Sequence, residues 1–224
     1  GANKEEMLSM NQKNWISGLT TNPTLMKKAE IKNYKNFSKD ILKHITNKPI
    51  SFEVFSDDFV EMERQAIEIS EWGDNVYVKI PITNTKSEPS YKLIEKLVDK
   101  KVKVNVTAIM TLEQVKETIK VLDKNIPSYI SVFAGRIADT GRDPLPIMSS
   151  VIEDLKSLHS AELIWASPRE LLNLFQADQI GCDIITMTSD IIKKFPFVGY
   201  SLQDYSLDTV KMFYNDALEA GYNI

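Results

Sequence analysis

Short apolar runs alternate with amphipathic stretches of helical period along almost the whole chain, and this alternation constrains the fold more than any single residue. Runs rich in Val, Ile and aromatic residues fall at 16–21, 50–54, 75–83, 102–107, 129–133, 162–166 and 183–187. Helical patterns occupy 24–29, 34–45, 59–71, about 89–100, 112–123, 144–158 and 168–177. A further pattern at 3–11 opens the chain, with Asn3 and Glu6 in N-cap and capping-box positions, and two at 189–194 and 206–220 close it. Strand-length runs that each lead into a helix are the mark of repeated βαβ units around a parallel sheet. Seven strands can be counted, and a closed (β/α)₈ barrel needs eight. Because the chain opens on a helix, the missing strand is expected to be the first. A single α/β barrel domain over 1–224 is predicted, with the helix at about 206–220 packed outside it. The rival architecture, a doubly wound nucleotide-binding sheet, would place a Gly-rich turn after its first strand. Neither G-x-G-x-x-G nor G-x-x-x-x-G-K-[ST] occurs.

Several functions lack the residues they need. A net charge of −4 with scattered Lys and Arg proposes neither nucleic acid nor a membrane as partner. No apolar run is long enough to span a bilayer and the first residues carry no signal-peptide core, so a cytoplasmic protein is expected. The single cysteine, Cys182, permits no internal disulfide, fits a reducing compartment and reads as buried filler. With two histidines, His44 and His159, far apart in sequence, a catalytic zinc or a Ser-His-Asp triad is poorly supplied.

Candidate chemistry sits at the strand ends, where barrel enzymes build their sites. The strand around Val76-Tyr77-Val78-Lys79-Ile80-Pro81 holds a lysine in an apolar run. Burial strips an ammonium of hydration, and an uncharged amine is what a Schiff-base lysine must offer. The alternative is that Lys79 snorkels to solvent. Other strand ends carry Thr21 and Asn22, Glu53, Asn105 and Thr107, Ser131, and Ser167 with Arg169. By period two, Asn105 and Thr107 share a face, as do Ser131 and Phe133. An amine, a carboxylate and a set of amides and hydroxyls suit iminium chemistry on a keto sugar, with Glu53 and Thr107 moving protons through water. Arg136 and Arg169 could grip a phosphate, Arg169 near a helix N-terminus. Alternatively, Arg136 pairs only with Asp139 or Asp143, and Arg169 only with Glu170.

Five segments resemble successive signatures of the transaldolase family: Gly18-Leu19-Thr20-Thr21-Asn22-Pro23-Thr24, Val78-Lys79-Ile80-Pro81-Ile82-Thr83, Asn105-Val106-Thr107, Ser131-Val132-Phe133-Ala134-Gly135-Arg136-Ile137 and Ala166-Ser167-Pro168-Arg169. They stand in the family's order. The resemblance implies a TIM barrel of class I aldolase type in which Lys79 forms the Schiff base and Glu53 is the acid/base acting through a water near Thr107. Asn22, Asn105 and Ser131 would hold a dihydroxyacetone unit, and Arg136, Ser167 and Arg169 the sugar phosphate. The unit would pass from a ketose phosphate such as sedoheptulose 7-phosphate or fructose 6-phosphate to an aldose phosphate, with no cofactor or metal. The family's first strand ends in an aspartate active in carbon–carbon cleavage, and no residue here is matched to it. Pro168 stands where the family often has an aromatic residue. Fructose-6-phosphate aldolases of the same family carry Gln and Tyr where this chain has Glu53 and Phe133, so the chain resembles the transferase. The aldolase activity and a non-catalytic phosphosugar-binding barrel are the alternatives. The chain also resembles the small-subunit branch, which implies a homo-oligomer, pentamer or decamer, whose C-terminal helix reaches a neighbour.

Overall fold

In the computed structural model, which describes residues 1–223, every strand of one seven-stranded sheet lies parallel to the next. The strands are β1 (Leu19–Thr20), β2 (Ile50–Glu53), β3 (Val76–Pro81), β4 (Val104–Ile109), β5 (Ser128–Val132), β6 (Ala161–Trp165) and β7 (Ile184–Ile185), in that spatial order. The helices of this unit are α1 (Lys4–Asn11), α2 (Pro23–Lys28), α3 (Tyr34–Leu42), α4 (Phe59–Ser70), α5 (Tyr91–Asp99), α6 (Leu112–Val121), α7 (Ala134–Ala138), α8 (Leu145–Leu155) and α9 (Leu172–Ile180). A strand–helix–strand repeat with sequential neighbours in one curled sheet is the TIM-barrel pattern. Among the described residues β1 and β7 are the two sheet edges.

Strand alternation sorts the apolar residues into two cores. Val76, Val78 and Ile80 face the helices and join a large cluster with Ile50, Phe52, Val104, Val106, Ile130, Val132, Leu163 and Trp165. Side chains of this kind each stabilise by about 1.5–3 kcal/mol when fully buried. The opposite face carries Tyr77, Tyr129, Ile164 and Ala166, with Phe133 and Ile184 packed against them. That inner face also carries Lys79.

Several local expectations move. Asn3 caps α1, its Oδ1 accepting from the Glu6 N–H at 2.9 Å, whereas the reciprocal capping box is formed at α6 by Thr111 and Gln114. The first strand shrinks to two residues. Just before it the chain turns, Ile16 N–H donating to the Lys13 carbonyl, and Lys48 Nζ takes the carbonyls of Asn11 and Lys13. The stretch 134–143, between the strand and helix read from the sequence, begins with the helix α7. The helix expected from 168 starts at Leu172, because Asn173 Oδ1 takes the N–H groups of Arg169 and Glu170 at 2.8 and 3.2 Å and holds them in a turn. It ends at Gly181, whose φ of +75° suits a residue without Cβ. Cys182 is half-buried and packs against the main core, and burial pushes its thiol up to about 11.

Residues from Thr188 on form a second compact unit. It comprises α10 (Ser189–Ile192), a 3₁₀ turn at Phe195–Phe197 and α11 (Leu202–Glu219). The last helix begins four residues before the expected 206 because Ser201 Oγ accepts from the Asp204 N–H and caps it there. Phe197, Tyr200 and Tyr205 pack ring against ring, and Tyr200 donates to Asp208 Oδ2 at 2.7 Å.

Candidate active site

Parallel register carries three polar side chains to one level of the inner face: Glu53 pairs with Lys79, and Lys79 with Asn105. Lys79 is 7% exposed, so it does not snorkel. Its ammonium donates to Glu53 Oε2 and to the Thr21 carbonyl, each at 3.0 Å. A buried ammonium is tolerated only with such partners. One step along the sheet, Asn105 Nδ2 donates to Ser51 Oγ at 3.0 Å and Asn105 Oδ1 accepts from Ser131 Oγ at 2.7 Å. Thr107 is buried two residues beyond Asn105 on the same face, with Pro81 opposite it in register. Beside Lys79, Tyr77 and Tyr129 stack with ring centroids 4.2 Å apart.

Asn22 lies at the end of β1 and caps α2, its Oδ1 accepting from the Leu25 N–H at 2.8 Å. Phe133 is half-buried against the inner aromatic cluster. At the ends of β5 and β6, Arg136 lies exposed on α7, and Ser167 occupies the left-handed region at φ +59°. Arg169 Nε donates to Asp139 Oδ1 at 3.0 Å and its Nη2 bonds Asp139 Oδ2, a two-pronged pair. Asp139, one of the two acids expected as partners for Arg136, thus holds Arg169 instead, and Glu170 does not serve it. Where α7 passes Ser167, a Cβ added to Gly135 would stand 1.5 Å from the Ser167 carbonyl oxygen, so only glycine fits.

Of the expected residues, Thr21, Glu53 and Lys79 form one hydrogen-bonded group and Asn105 and Ser131 a second one step along the sheet, with Thr107 beside it. Arg136, Ser167 and Arg169 form a separate group around Gly135. Ser51, Tyr77 and Tyr129 were absent from the expected site although period two puts them on the faces of Glu53, Lys79 and Ser131. Tyr34 was absent too: its Oη accepts from the Glu53 N–H at 2.8 Å, and no local pattern signals a contact across 19 residues. Among the described residues no group of three or more His, Cys, Asp or Glu is placed to hold a metal ion, and no helix is long and apolar enough to cross a membrane.

The family model for transaldolase/fructose-6-phosphate aldolase matches residues 1–223. The chain belongs to that family. It is 30% identical over 220 residues to a probable transaldolase of Nitrosopumilus maritimus, covering 94% of this chain and 93% of that protein. It is equally 30% identical over 216 residues to a probable transaldolase of Syntrophomonas wolfei, covering 95% and 97%. A probable transaldolase of a Sulfurihydrogenibium species is 31% identical over 212 residues, covering 92% and 93%. The chain therefore has the fold and the general enzyme type of transaldolases and aldolases.

Proposed function

We propose that the chain is a transaldolase that moves a dihydroxyacetone unit from a ketose phosphate to an aldose phosphate through a Schiff base on Lys79. The observation that carries this reading is the buried Lys79 amine held 3.0 Å from the Glu53 carboxylate on the inner face. The amine adds to the ketone carbonyl, and loss of water leaves an iminium. The bond between its α and β carbons then breaks, its electron pair passing to the iminium as an enamine while the β-hydroxyl loses its proton and departs as an aldehyde. The enamine next adds to the acceptor aldehyde, which takes up a proton, and water hydrolyses the new iminium to free the amine. Glu53, within hydrogen-bond reach of Nζ, exchanges the protons of addition and dehydration, with Thr107 holding the water between. Asn105 and Ser131 hold the hydroxyls of the three-carbon unit. Arg136, with Ser167 and Arg169, receives the phosphate, for which Arg169 must turn part of its guanidinium from Asp139.

Borohydride added with fructose 6-phosphate should fix a reduced three-carbon adduct on the peptide that contains Lys79. An unmodified Lys79 peptide after turnover conditions ends this reading. Release of free dihydroxyacetone without any acceptor aldose phosphate, at a rate equal to that with one, would make the chain an aldolase instead.

The same reading has copies of the chain assembling. In the second unit Leu202, Leu207, Val210, Phe213, Tyr214 and Leu218 are all exposed along α11, an apolar surface that solvent disfavours. Light scattering should give several times the 25.5 kDa chain mass, and a single-chain mass rules the assembly out.

A further inference from the structure

The parallel pairing of β1 with β2 is interrupted at the point where the amine sits. Leu19 N–H donates to the Pro49 carbonyl at 2.9 Å and Thr21 N–H to the Ser51 carbonyl at 3.1 Å, in the register Thr20 with Ser51. In a parallel ladder the next rung would run from Glu53 N–H to the Thr21 carbonyl. Neither group is used that way. The Thr21 carbonyl accepts from Lys79 Nζ at 3.0 Å, and the Glu53 N–H donates to Tyr34 Oη at 2.8 Å. In place of that backbone bond the Thr21 carbonyl takes Lys79 Nζ and, at 3.3 Å, the Thr20 hydroxyl, while the Glu53 N–H goes to Tyr34.

We propose that Tyr34 is a positioning residue for that pair: its hydroxyl takes over the rung at Glu53, and so leaves the Thr21 carbonyl to hold the Lys79 amine. An unpaired N–H at this depth would cost about 1–3 kcal/mol, and the cheapest repair without Tyr34 is to close the rung. Closing it would draw the Thr21 carbonyl off the amine. The Thr21 hydroxyl gives its own proton to the Ser51 carbonyl at 3.2 Å. The Tyr34 phenol oxygen is the acceptor for the Glu53 N–H. Burial pushes the Tyr34 phenol up to about 12, so it stays uncharged through the neutral range. The ring itself is fixed edge-on to Phe52 and Phe55, with centroids 6.1 and 4.4 Å away, and tilted on Trp72.

Those ring contacts survive in Tyr34→Phe, which removes only the oxygen that accepts from Glu53. The proposal rests on the Schiff-base reading of Lys79, and the two can fail separately. In Tyr34→Phe, kcat and the rate of borohydride trapping at Lys79 should both fall about tenfold, since small misplacements of reacting groups cost up to about 10²-fold. KM should stay within about twofold, because Tyr34 is not assigned to the substrate. Amide hydrogen exchange of the peptide spanning residues 50–56 should differ from wild type at Glu53. Wild-type trapping together with unchanged kcat and trapping in Tyr34→Phe overturns this proposal alone. Absence of trapping in the wild type overturns the Lys79 reading and this proposal with it. A rise in KM with kcat preserved, or a lowered melting temperature with wild-type kcat well below it, assigns Tyr34 to binding or to packing and likewise overturns it.

Discussion

Lys79→Met is expected to lower kcat by at least about 10⁴-fold, a loss of about 5 kcal/mol of transition-state stabilisation. The neighbours of Lys79 on the inner face are Glu53, Asn105 and the two stacked tyrosines, and none carries an amine. Methionine fills a similar length of the same channel, so the loss is chemical rather than a cavity effect. Stability changes less. The Glu53 carboxylate loses its cation and Thr21 loses one donor, which costs about 3–5 kcal/mol for a pair this buried, against a usual domain stability of about 5–15 kcal/mol. Stopped assays with fructose 6-phosphate and an aldose phosphate, run beside a thermal melt, separate the two effects. Activity within tenfold of wild type in a folded Lys79→Met protein would mean that the amine does not carry the reaction.

What the sequence could disclose here follows from the range of the physics involved. Val76, Val78 and Ile80 alternate with Tyr77, Lys79 and Pro81, and a period of two is enough to place a lysine opposite a core-facing row. The same periodicity put Asn105 with Thr107 and Ser131 with Phe133, and it already contained Ser51, Tyr77 and Tyr129 as inward-facing residues. The Tyr34–Glu53 bond lies beyond that reach. It joins the start of α3 to the end of β2 and depends on a rung the sheet omits, a fact of tertiary register rather than of local pattern. The pairing of Arg169 with Asp139 is of the same kind: charge and proximity in sequence favoured Glu170, and the close approach of α7 to Ser167 decided otherwise. Short α7 is itself a product of that approach, since five residues nucleate no helix alone.

That approach sets the second large effect. A methyl on Gly135 would overlap the Ser167 carbonyl oxygen at 1.5 Å and the Ser167 carbonyl carbon at 2.7 Å, and both are backbone atoms with no rotamer to yield. Gly135→Ala must therefore push α7 away from the β6 end, breaking the Gly135 N–H bond to the Ala166 carbonyl and the Arg169 Nε contact with the Gly135 carbonyl, each 3.4 Å long. Overpacking of this kind costs about 3 kcal/mol, which in a chain of this size lowers the melting temperature by about 6–12 °C. Arg136 sits one residue on, so the shift should also raise KM for sugar phosphates at least about tenfold at temperatures where the variant is folded. Gly141→Ala supplies the contrast. Gly141 has φ +75° but nothing within 4 Å of an added Cβ, so only backbone strain opposes the change. Strain alone costs about 1 kcal/mol, or about 2–4 °C, with KM unaltered. Equal melting shifts in the two variants would show that contact with Ser167 does not fix α7, and the placement of Arg136 would need another cause.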